Sequence, residues 1–276
     1  MRRPIRTTLA GALLLPLGLF SGGCELMMAR PRAQASDQWE KTYAIEKSAT
    51  LEIENTNGSI DVRTHAEPTI VVKAQRTARA VSEQGARELL ARTNLEQRAS
   101  ADFVRLATPR SPGFSRGQQL EVAYQVLVPA TIAVNLTTVN GKVELEGVTG
   151  DVALETVNGG IDARGVSGLR KAETVNGSIR LGLGSLPAGG AQIETVNGSV
   201  AVHLPAEAAV NVSVRTVNGG ISVDGFVKVA DAERKRRHYE GKLNGGGPTL
   251  RVETVNGGVS VNAKAATAVA TDAGSQ

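Results

Sequence analysis

The feature that most constrains the fold is a short motif, Thr-Val-Asn-Gly, which occurs six times in this chain. Its asparagines lie 18 to 21 residues apart, except that the last interval is 38 residues, or about two such steps. A fixed period of about 20 residues is typical of repeat proteins, in which similar units stack and offer an extended surface rather than one deep pocket. The repeated asparagines are Asn140, Asn158, Asn176, Asn197, Asn218 and Asn256, and Asn57 belongs to a looser seventh copy.

Each repeat is predicted to be a strand, a sharp corner and a second strand. Apolar and polar residues alternate on both sides of each Asn-Gly pair, as Leu154, Ile161 and Ala163 show around Asn158. Period-2 alternation of aliphatic residues is typical of half-buried strands. The corner is then either the tight turn of a β-hairpin or the bend of a coil in a parallel β-helix. A path of about 18 residues at roughly 3.3 Å each suits a small three-sided coil.

The recurring threonine favours the β-helix. Stacked corners bring identical side chains within about 4.8 Å of each other, where asparagine amides can hydrogen-bond in a ladder. A hairpin has no need of a threonine two residues before each asparagine. We therefore predict an all-β fold, a single-stranded parallel β-helix of short three-sided coils of 18 to 21 residues, with one short helix in an N-terminal cap region. A hairpin meander or a propeller is the alternative.

Parity along the strand predicts which side chains of the motif face outward. Successive side chains of a strand point to opposite faces, so the threonine and the asparagine should face the interior and the valine between them should face solvent. The outward valines, among them Val157, Val175 and Val196, would form a continuous apolar stripe. Such a stripe either marks a contact surface or consists of neighbours that cover one another and favour strand formation.

The N-terminus resembles an export signal followed by a lipid anchor. Three arginines precede an apolar run that is too short to span a bilayer comfortably. Small residues then precede Cys24, the only cysteine, as in a bacterial lipobox. We expect residues 1–23 to be a signal peptide, Cys24 to be lipidated and residues 24–37 to form a tether, which would hold the chain in the cell envelope, on the periplasmic side or at the cell surface. The alternative is cleavage near Ala33 and free secretion.

The rest of the chain divides into a capping region, the repeats and a tail. One helix is predicted after Ser82, its N-cap, with Ala86, Leu89 and Leu90 on the buried face. Because no cap is evident after the last repeat, the open end of the coils is a candidate site for a partner or a second copy. The predicted segments are an N-terminal β region with the helix at 38–130, β-helix repeats at 131–263 with an insertion loop at 231–248, and a disordered tail at 264–276.

The units resemble those of the bacterial "putative adhesin" β-strand-repeat family, a domain of unknown function. The resemblance rests on the repeats themselves, on Gly147 to Val152 between two copies, on Tyr239 to Gly247 before the last copy and on a short helix ahead of Val128-Pro129. It covers roughly residues 40–263. It implies a single-stranded β-helix on an exported or membrane-attached protein, and it supplies no catalytic residues.

No catalytic, cofactor or metal site is expected from the residue types present. The three histidines are far apart in the sequence and lack the spacing of metal ligands. A β-helical polysaccharide-degrading enzyme needs clustered acids and usually aromatic platforms for sugars, yet the only tryptophan, Trp39, lies outside the repeats. Asp162, with Glu144 and Arg180 as stacking neighbours, is the one acid–base group worth inspecting for this alternative.

Two charged features are further candidates. Glu155, Glu173 and Glu194 would stack on one outer face, where a divalent cation or solvent could relieve their repulsion, although Arg215 interrupts the row. A basic cluster could contact anionic lipid headgroups or a cell-surface polymer, or it is a solvated loop. The formal charge of +4 includes the three arginines of the signal segment, so net charge gives no support to nucleic-acid binding. The basic cluster consists of Arg234, Lys235, Arg236 and Arg237.

The sequence therefore favours a non-enzymatic envelope lipoprotein, a rigid scaffold for adhesion or for binding a protein or polysaccharide partner. Its candidate contacts are the valine stripe and the basic cluster. The alternative is a structural element that associates with itself through the open end of its coils.

Overall fold

The computed structural model describes residues 33–109 and 117–264, which form two large β-sheets and one helix. The all-β class is confirmed. The signal segment, Cys24 and the tail beyond residue 264 lie outside the described residues. The elements before the regular repeats are β1 (Ala33–Ala44), β2 (Thr50–Glu54), β3 (Ile60–His65), β4 (Thr69–Ala80), α1 (Glu83–Arg92), β5 (Glu96–Ala99), β6 (Phe103–Ala107) and β7 (Gln119–Pro129).

The repeats contribute fourteen of the described strands. They are β8 (Ala133–Asn140), β9 (Val143–Glu146), β10 (Asp151–Asn158), β11 (Ile161–Val166), β12 (Gly168–Asn176), β13 (Ile179–Leu183), β14 (Ala191–Asn197), β15 (Val200–Pro205), β16 (Val210–Asn218), β17 (Ile221–Asp224), β18 (Val229–Lys235), β19 (His238–Leu243), β20 (Thr249–Asn256) and β21 (Val259–Lys264).

The two strands that flank each Asn-Gly corner belong to different sheets. The first sheet has the order β1-β4-β7-β3-β9-β11-β13-β15-β21-β17, and the second has the order β18-β19-β16-β20-β14-β12-β10-β8-β2-β6-β5. Equivalent strands of the repeats pair in parallel, with Thr156 beside Thr174 and Asn158 beside Asn176. A hairpin meander would instead pair the strands across each corner in antiparallel fashion. The corners are therefore bends between stacked coils.

Each coil supplies one strand to each sheet, so the predicted third side of the coil is not confirmed. Between β11 and β12, for example, only Ser167 lies outside a strand. The sheets are also mixed. Strands β1, β4 and β7 pair antiparallel at one end of the first sheet, and β16, β19 and β18 do so at one end of the second. Purely parallel pairing is thus confined to the stacked coils.

The core lies between the two sheets and consists of small branched side chains. Leu154, four residues before its asparagine, and Ile161, three residues after it, are at most 1% exposed. The equivalent positions of the other copies are buried as well, apart from the half-buried Ile221 in β17. Full burial of such a side chain stabilises the fold by about 1.5–3 kcal/mol, so every coil adds an increment to the stack.

The coils do not stack in the order of the chain. The last coil, β20–β21, lies between β14–β15 and β16–β17. Near the other end, β2–β3 lies between β6–β7 and β8–β9. The expectation that the last repeat ends the stack is therefore wrong, whereas the copies of Asn57 and Asn140, which follow one another in the sequence, are neighbours in the stack. Every coil presents the same Thr, Asn and Gly to its neighbour, so the local pattern does not specify which coil lies next.

The predicted helix is confirmed, but the tether is shorter than predicted. The side chain of Ser82 accepts a hydrogen bond from the backbone N of Gly85 at 3.1 Å, and the predicted helix face is buried. Strand β1 begins at Ala33, inside the segment assigned to the tether, and pairs with β4 over twelve residue pairs. Trp39 of β1 packs against the core. Arg76 also anchors β1 through two hydrogen bonds to the carboxylate of Asp37, at 2.7 and 2.5 Å.

The insertion predicted as a loop contains most of a β-hairpin, β18–β19, that caps the stack. Strand β19 pairs antiparallel with β16 and buries Tyr239 and Leu243. The expectation that the far end lacks a cap is therefore wrong for the second sheet. In the first sheet, β17 has a neighbouring strand, β21, on one side only. The cap was missed because it precedes the last coil in the sequence instead of following it.

Candidate binding groove

Two ladders of hydrogen bonds run along the stacked corners. On the outside, Asn176 donates from Nδ2 to Oδ1 of Asn158 at 2.9 Å, and Asn197 donates to Oδ1 of Asn176 at 2.8 Å. The same bond joins each neighbouring pair of the seven repeat asparagines. On the inside, Oγ1 of Thr174 donates to the backbone oxygen of Gly159 at 2.9 Å. These bonds fix the spacing of the corners, and with it the spacing of every outer row of side chains.

The ladder asparagines lie on the outer surface, so the predicted inward orientation is wrong. Thr156 is buried as expected, but Val157 and Asn158 are both exposed. Because the chain bends at the corner, strict alternation ends at the valine and two consecutive residues face solvent. In the looser first copy, Asn55 takes the inner position of the threonine and donates to the backbone oxygen of Gly58 at 3.0 Å.

The valines of the motif face solvent, as parity predicts. The second residue of each Thr-Val-Asn-Gly motif is between 38% and 50% exposed. Side chains at equivalent positions of paired strands are about 4.8 Å apart, so six of them form a stripe roughly 24 Å long. In stacking order, the stripe is Val139, Val157, Val175, Val196, Val255 and Val217.

A row of glutamates runs beside the valine stripe. Glu155, Glu173 and Glu194 stack as the sequence predicts, and insertion of the last coil adds Glu253 to the row before Arg215. Sequence reasoning missed Glu253 because the last coil was expected at the end of the stack. The row is therefore four carboxylates long and ends in a guanidinium group.

Each glutamate of the row has a partner in the row next to it. Lys171 lies 2.7 Å from Glu155 and 3.0 Å from Glu173, and these two hydrogen bonds raise the pKa of Lys171. On the neighbouring strands, Gln192 donates to Glu194 at 2.7 Å, and Arg251 donates to Glu253 at 2.7 Å. These partners relieve the repulsion within the row without a bound cation.

The tip of the β18–β19 hairpin closes one end of the stripe. The backbone N of Thr216 donates to the backbone oxygen of Arg237 at 3.1 Å, which places the hairpin turn beside Val217. Within the hairpin, Lys235 pairs with Glu233, and His238 Nε2 lies 3.3 Å from Glu240.

Two arginines near this end have free guanidinium groups. Arg215 and Arg237 form no ion pair with any residue of 33–109 or 117–264. By contrast, Arg234 lies over the ring of Tyr239, 5.8 Å from its centroid. The closed end of the stripe therefore has two guanidinium groups without an ion-pair partner among the described residues.

A single groove of about 940 Å³ joins these features. Val157, Val175 and Val196 lie along its floor, the glutamates form one side, and Lys235 and Arg237 lie at the closed end. The structure thus brings the two sequence-predicted contact features together. Of the basic cluster, Arg234 and Arg236 do not line the groove. The volume is in the range of small-molecule sites, about 300–1,000 Å³.

The acid–base group around Asp162 has the geometry of a structural ion pair. Arg164 donates to both carboxylate oxygens of Asp162 at 3.0 Å, while Glu144 and Arg180 occupy the neighbouring strand positions. In the described ranges, no three His, Cys, Asp or Glu side chains come together as metal ligands. Among the same residues, no helix has the length and apolar character needed to cross a bilayer.

This chain matches one family profile and is similar to several solved structures. A family profile described as "Toastrack DUF4097" matches residues 46–262. A comparison with curated proteins finds no match. Similar solved structures include a "putative cell adhesion protein" from Clostridium sporogenes, with 11% identity and a TM-score of 0.42, covering 83% of this chain and 100% of that one. A "putative adhesin" from Bacteroides fragilis has 8% identity and a TM-score of 0.35, covering 83% of this chain and 97% of that one.

Proposed function

Given that this chain belongs to the Toastrack DUF4097 family, we propose that it is a non-enzymatic scaffold of the bacterial cell envelope that binds a partner through its groove. The stacked coils hold the groove in a fixed geometry, because each corner is tied to the next by side-chain and backbone hydrogen bonds. A rigid site loses little conformational entropy on binding. The partner is an envelope protein or polysaccharide, and the role is adhesion or capture.

The observation that supports this proposal is the coincidence of the valine stripe and the basic hairpin tip in one groove. Exposed, continuous apolar patches with a polar rim mark interaction sites on soluble domains. Here the valines provide the apolar floor, and Arg215 and Arg237 provide charges that no described neighbour compensates. Recognition then combines apolar burial with charge pairing at one end.

Capture from an envelope extract tests the proposal. The purified protein is compared with a variant in which Arg234, Lys235, Arg236 and Arg237 are replaced by glutamine. A control variant replaces three exposed basic residues that do not line the groove: Lys47, Arg98 and Arg180. We expect one partner to be retained by the parent and the control and lost with the hairpin variant. Equal capture by all three proteins would refute binding through the groove.

We propose that Cys24 anchors the protein through lipid. The support is the sequence context of Cys24, which follows an apolar export segment. A Cys24→Ser protein should move from the membrane fraction to the soluble fraction, because a diacylated cysteine is the only anchor assigned here. Unchanged membrane association of that variant would argue against the lipoprotein assignment.

A second candidate function is self-association through the far end of the first sheet. Among the described residues, no strand pairs with the outer side of β17, and unpaired strand edges template association. Val227, which follows β17 in the chain, is 71% exposed. Sedimentation of the Cys24→Ser protein at increasing concentration tests this. Val223→Pro removes a backbone donor in β17. Dimers or longer species that disappear in this variant would support association through this edge. A monomer at all concentrations would reject it.

A further inference from the structure

We infer that the groove is a binding site for a long-chain fatty acid, with the acyl chain along the valine stripe and the carboxylate at Arg215 and Arg237. This inference deepens the proposed function, and it rests on the groove being a binding site. It assigns a ligand of defined chemistry: one linear apolar chain with one anionic group at its end.

The floor of the groove suits a ligand without hydrogen-bonding groups along its length. The stripe lies on the face of a sheet, where the backbone N–H and C=O groups are already paired between strands. A peptide laid across this face would find no backbone partners, in contrast to a peptide added to a sheet edge. The asparagine amides beside the stripe are engaged in their own ladder. An alkyl chain needs none of these partners and gains from contact with each valine.

The length of the stripe also fits such a chain. The five valines that line the groove extend over roughly 19 Å at strand spacing, and they are uniform, so the floor has no side-chain pocket that selects a particular residue type. A ligand that matches this surface is itself uniform and linear. An extended chain of about sixteen carbons approaches this length, and the groove volume of about 940 Å³ accommodates it.

The charges of the groove determine which way the ligand lies. Glu155, Glu173 and Glu194 run along the side of the stripe, so a carboxylate placed in its middle would be repelled. Glu253, the fourth member of the row and the neighbour of Arg215, is paired with Arg251. At the closed end, Arg215 and Arg237 have no ion-pair partner in the described chain. A guanidinium group binds a carboxylate through two parallel hydrogen bonds. One anionic group at the end is therefore favoured, and a polymer with negative charges along its whole length is disfavoured.

Equilibrium binding of hexadecanoate to the exported Cys24→Ser protein tests the inference, because no attached acyl chain then competes. Hexadecanoate below its micellar concentration is compared with its neutral methyl ester and with octanoate. We expect saturable binding of one hexadecanoate per protein. The ester should bind at least tenfold more weakly because it lacks the charge that Arg215 and Arg237 bind. Octanoate should also bind at least tenfold more weakly because it covers only part of the stripe.

Two groove variants and two matched controls locate the site. Val175→Thr with Val196→Thr keeps the β-branched shape, so the strands should form normally, yet it should weaken binding at least fivefold. Arg215→Gln with Arg237→Gln should remove the preference for hexadecanoate over its methyl ester. The controls are Val81→Thr, at an exposed valine outside the groove, and Arg180→Gln, at an exposed arginine of the first sheet. Both should bind as the parent does, and thermal melts check that all four variants are folded.

The results separate the inference from the proposed function. Absence of saturable binding, or equal binding by groove variants and controls, overturns the fatty-acid assignment. If envelope capture still depends on the hairpin, the groove binds a partner of another class and only the present inference fails. If hexadecanoate binds as expected but no envelope partner depends on the groove, the scaffold role fails and the lipid site stands.

Discussion

Replacement of Gly177 by alanine tests the stacking of the corners directly. A Cβ atom built on Gly177 would lie 1.9 Å from the backbone oxygen of Gly159 and 2.5 Å from its carbonyl carbon. To reach 3.0 Å from that oxygen, the two corners must separate by about 1.1 Å, since backbone atoms offer no rotamer that relieves the contact. Only glycine allows this spacing between coils.

The magnitude follows from the bonds that such a separation breaks. The backbone N of Gly159 donates to Asn176 at 3.1 Å, and Thr174 donates to the oxygen of Gly159 at 2.9 Å. Each bond contributes about 1 kcal/mol, and overpacking of the contact costs a further 1–3 kcal/mol or so. The loss in unfolding free energy should be about 3–5 kcal/mol. For a chain of this size, that lowers the melting temperature by roughly 10 °C.

Gly220→Ala is the matched control. Gly220 also lies at an Asn-Gly corner, but its added Cβ would meet nothing within 4 Å, and its φ is not positive. This variant should be as stable as the parent or slightly more stable, because alanine restricts the unfolded chain. Urea denaturation with detection by circular dichroism gives both values. Equal stability of Gly177→Ala and Gly220→Ala would refute close stacking of the corners.

Two further predictions concern the ladder and the core. Asn176→Asp removes the hydrogen bond donated to Asn158 but keeps the one accepted from Asn197. Because the amide is exposed, the unfolding free energy measured by urea denaturation should fall by only about 1 kcal/mol. A fall of more than about 3 kcal/mol would mean that the ladder is buried. Burial raises the pKa of Tyr124 from 10.0 to about 12, so its neutral form is favoured in the folded state and the stability it contributes is complete below pH 10. That contribution, about 2–3 kcal/mol, should be lost as the pH rises from 10 to 12. The urea midpoint of Tyr124→Phe should therefore fall less steeply with pH than that of the parent. An equal pH dependence of the two midpoints would contradict the raised pKa of Tyr124.

Local features of the repeats were predictable because they depend on neighbours in the sequence. The alternation around Asn158 specifies a buried Leu154 and an exposed Val157, and the structure has both. The Ser82 cap of the helix was equally local. The outward position of Asn158 was not predicted, because parity holds only along a straight strand and the chain bends at the corner. The amide ladder forms on the outside all the same.

Features that depend on distant pairing were not predictable. Asn256 of the last coil is hydrogen-bonded to Asn197 on one side and to Asn218 on the other. Nothing in the sequence of this coil distinguishes a place between those two coils from a place at the end of the stack. The fourth glutamate of the row, Glu253, therefore escaped notice. Residues 33–37 of strand β1 were assigned to the tether because that segment is small and polar, although pairing with β4 and the ion pair between Arg76 and Asp37 hold them in the sheet. The closing of the groove by Arg237 depends on the same long-range arrangement.

Disulfide cross-linking of the stacked coils tests the central claim, the order in which they form the floor of the groove. In a Cys24→Ser background, which has no other cysteine, cysteines are introduced in pairs at Glu194, Glu253 and Arg215. Neighbouring strands are about 4.8 Å apart, within the Cα range of a disulfide, whereas a separation of two strands, about 9.6 Å, exceeds it.

The strand register of the structure places position 253 between positions 194 and 215. The 194/253 and 253/215 pairs should therefore form disulfides under mild oxidation, and the 194/215 pair should remain reduced. A disulfide between positions 194 and 215, with position 253 unreactive toward both, would show that the coils follow the order of the chain and would contradict the account.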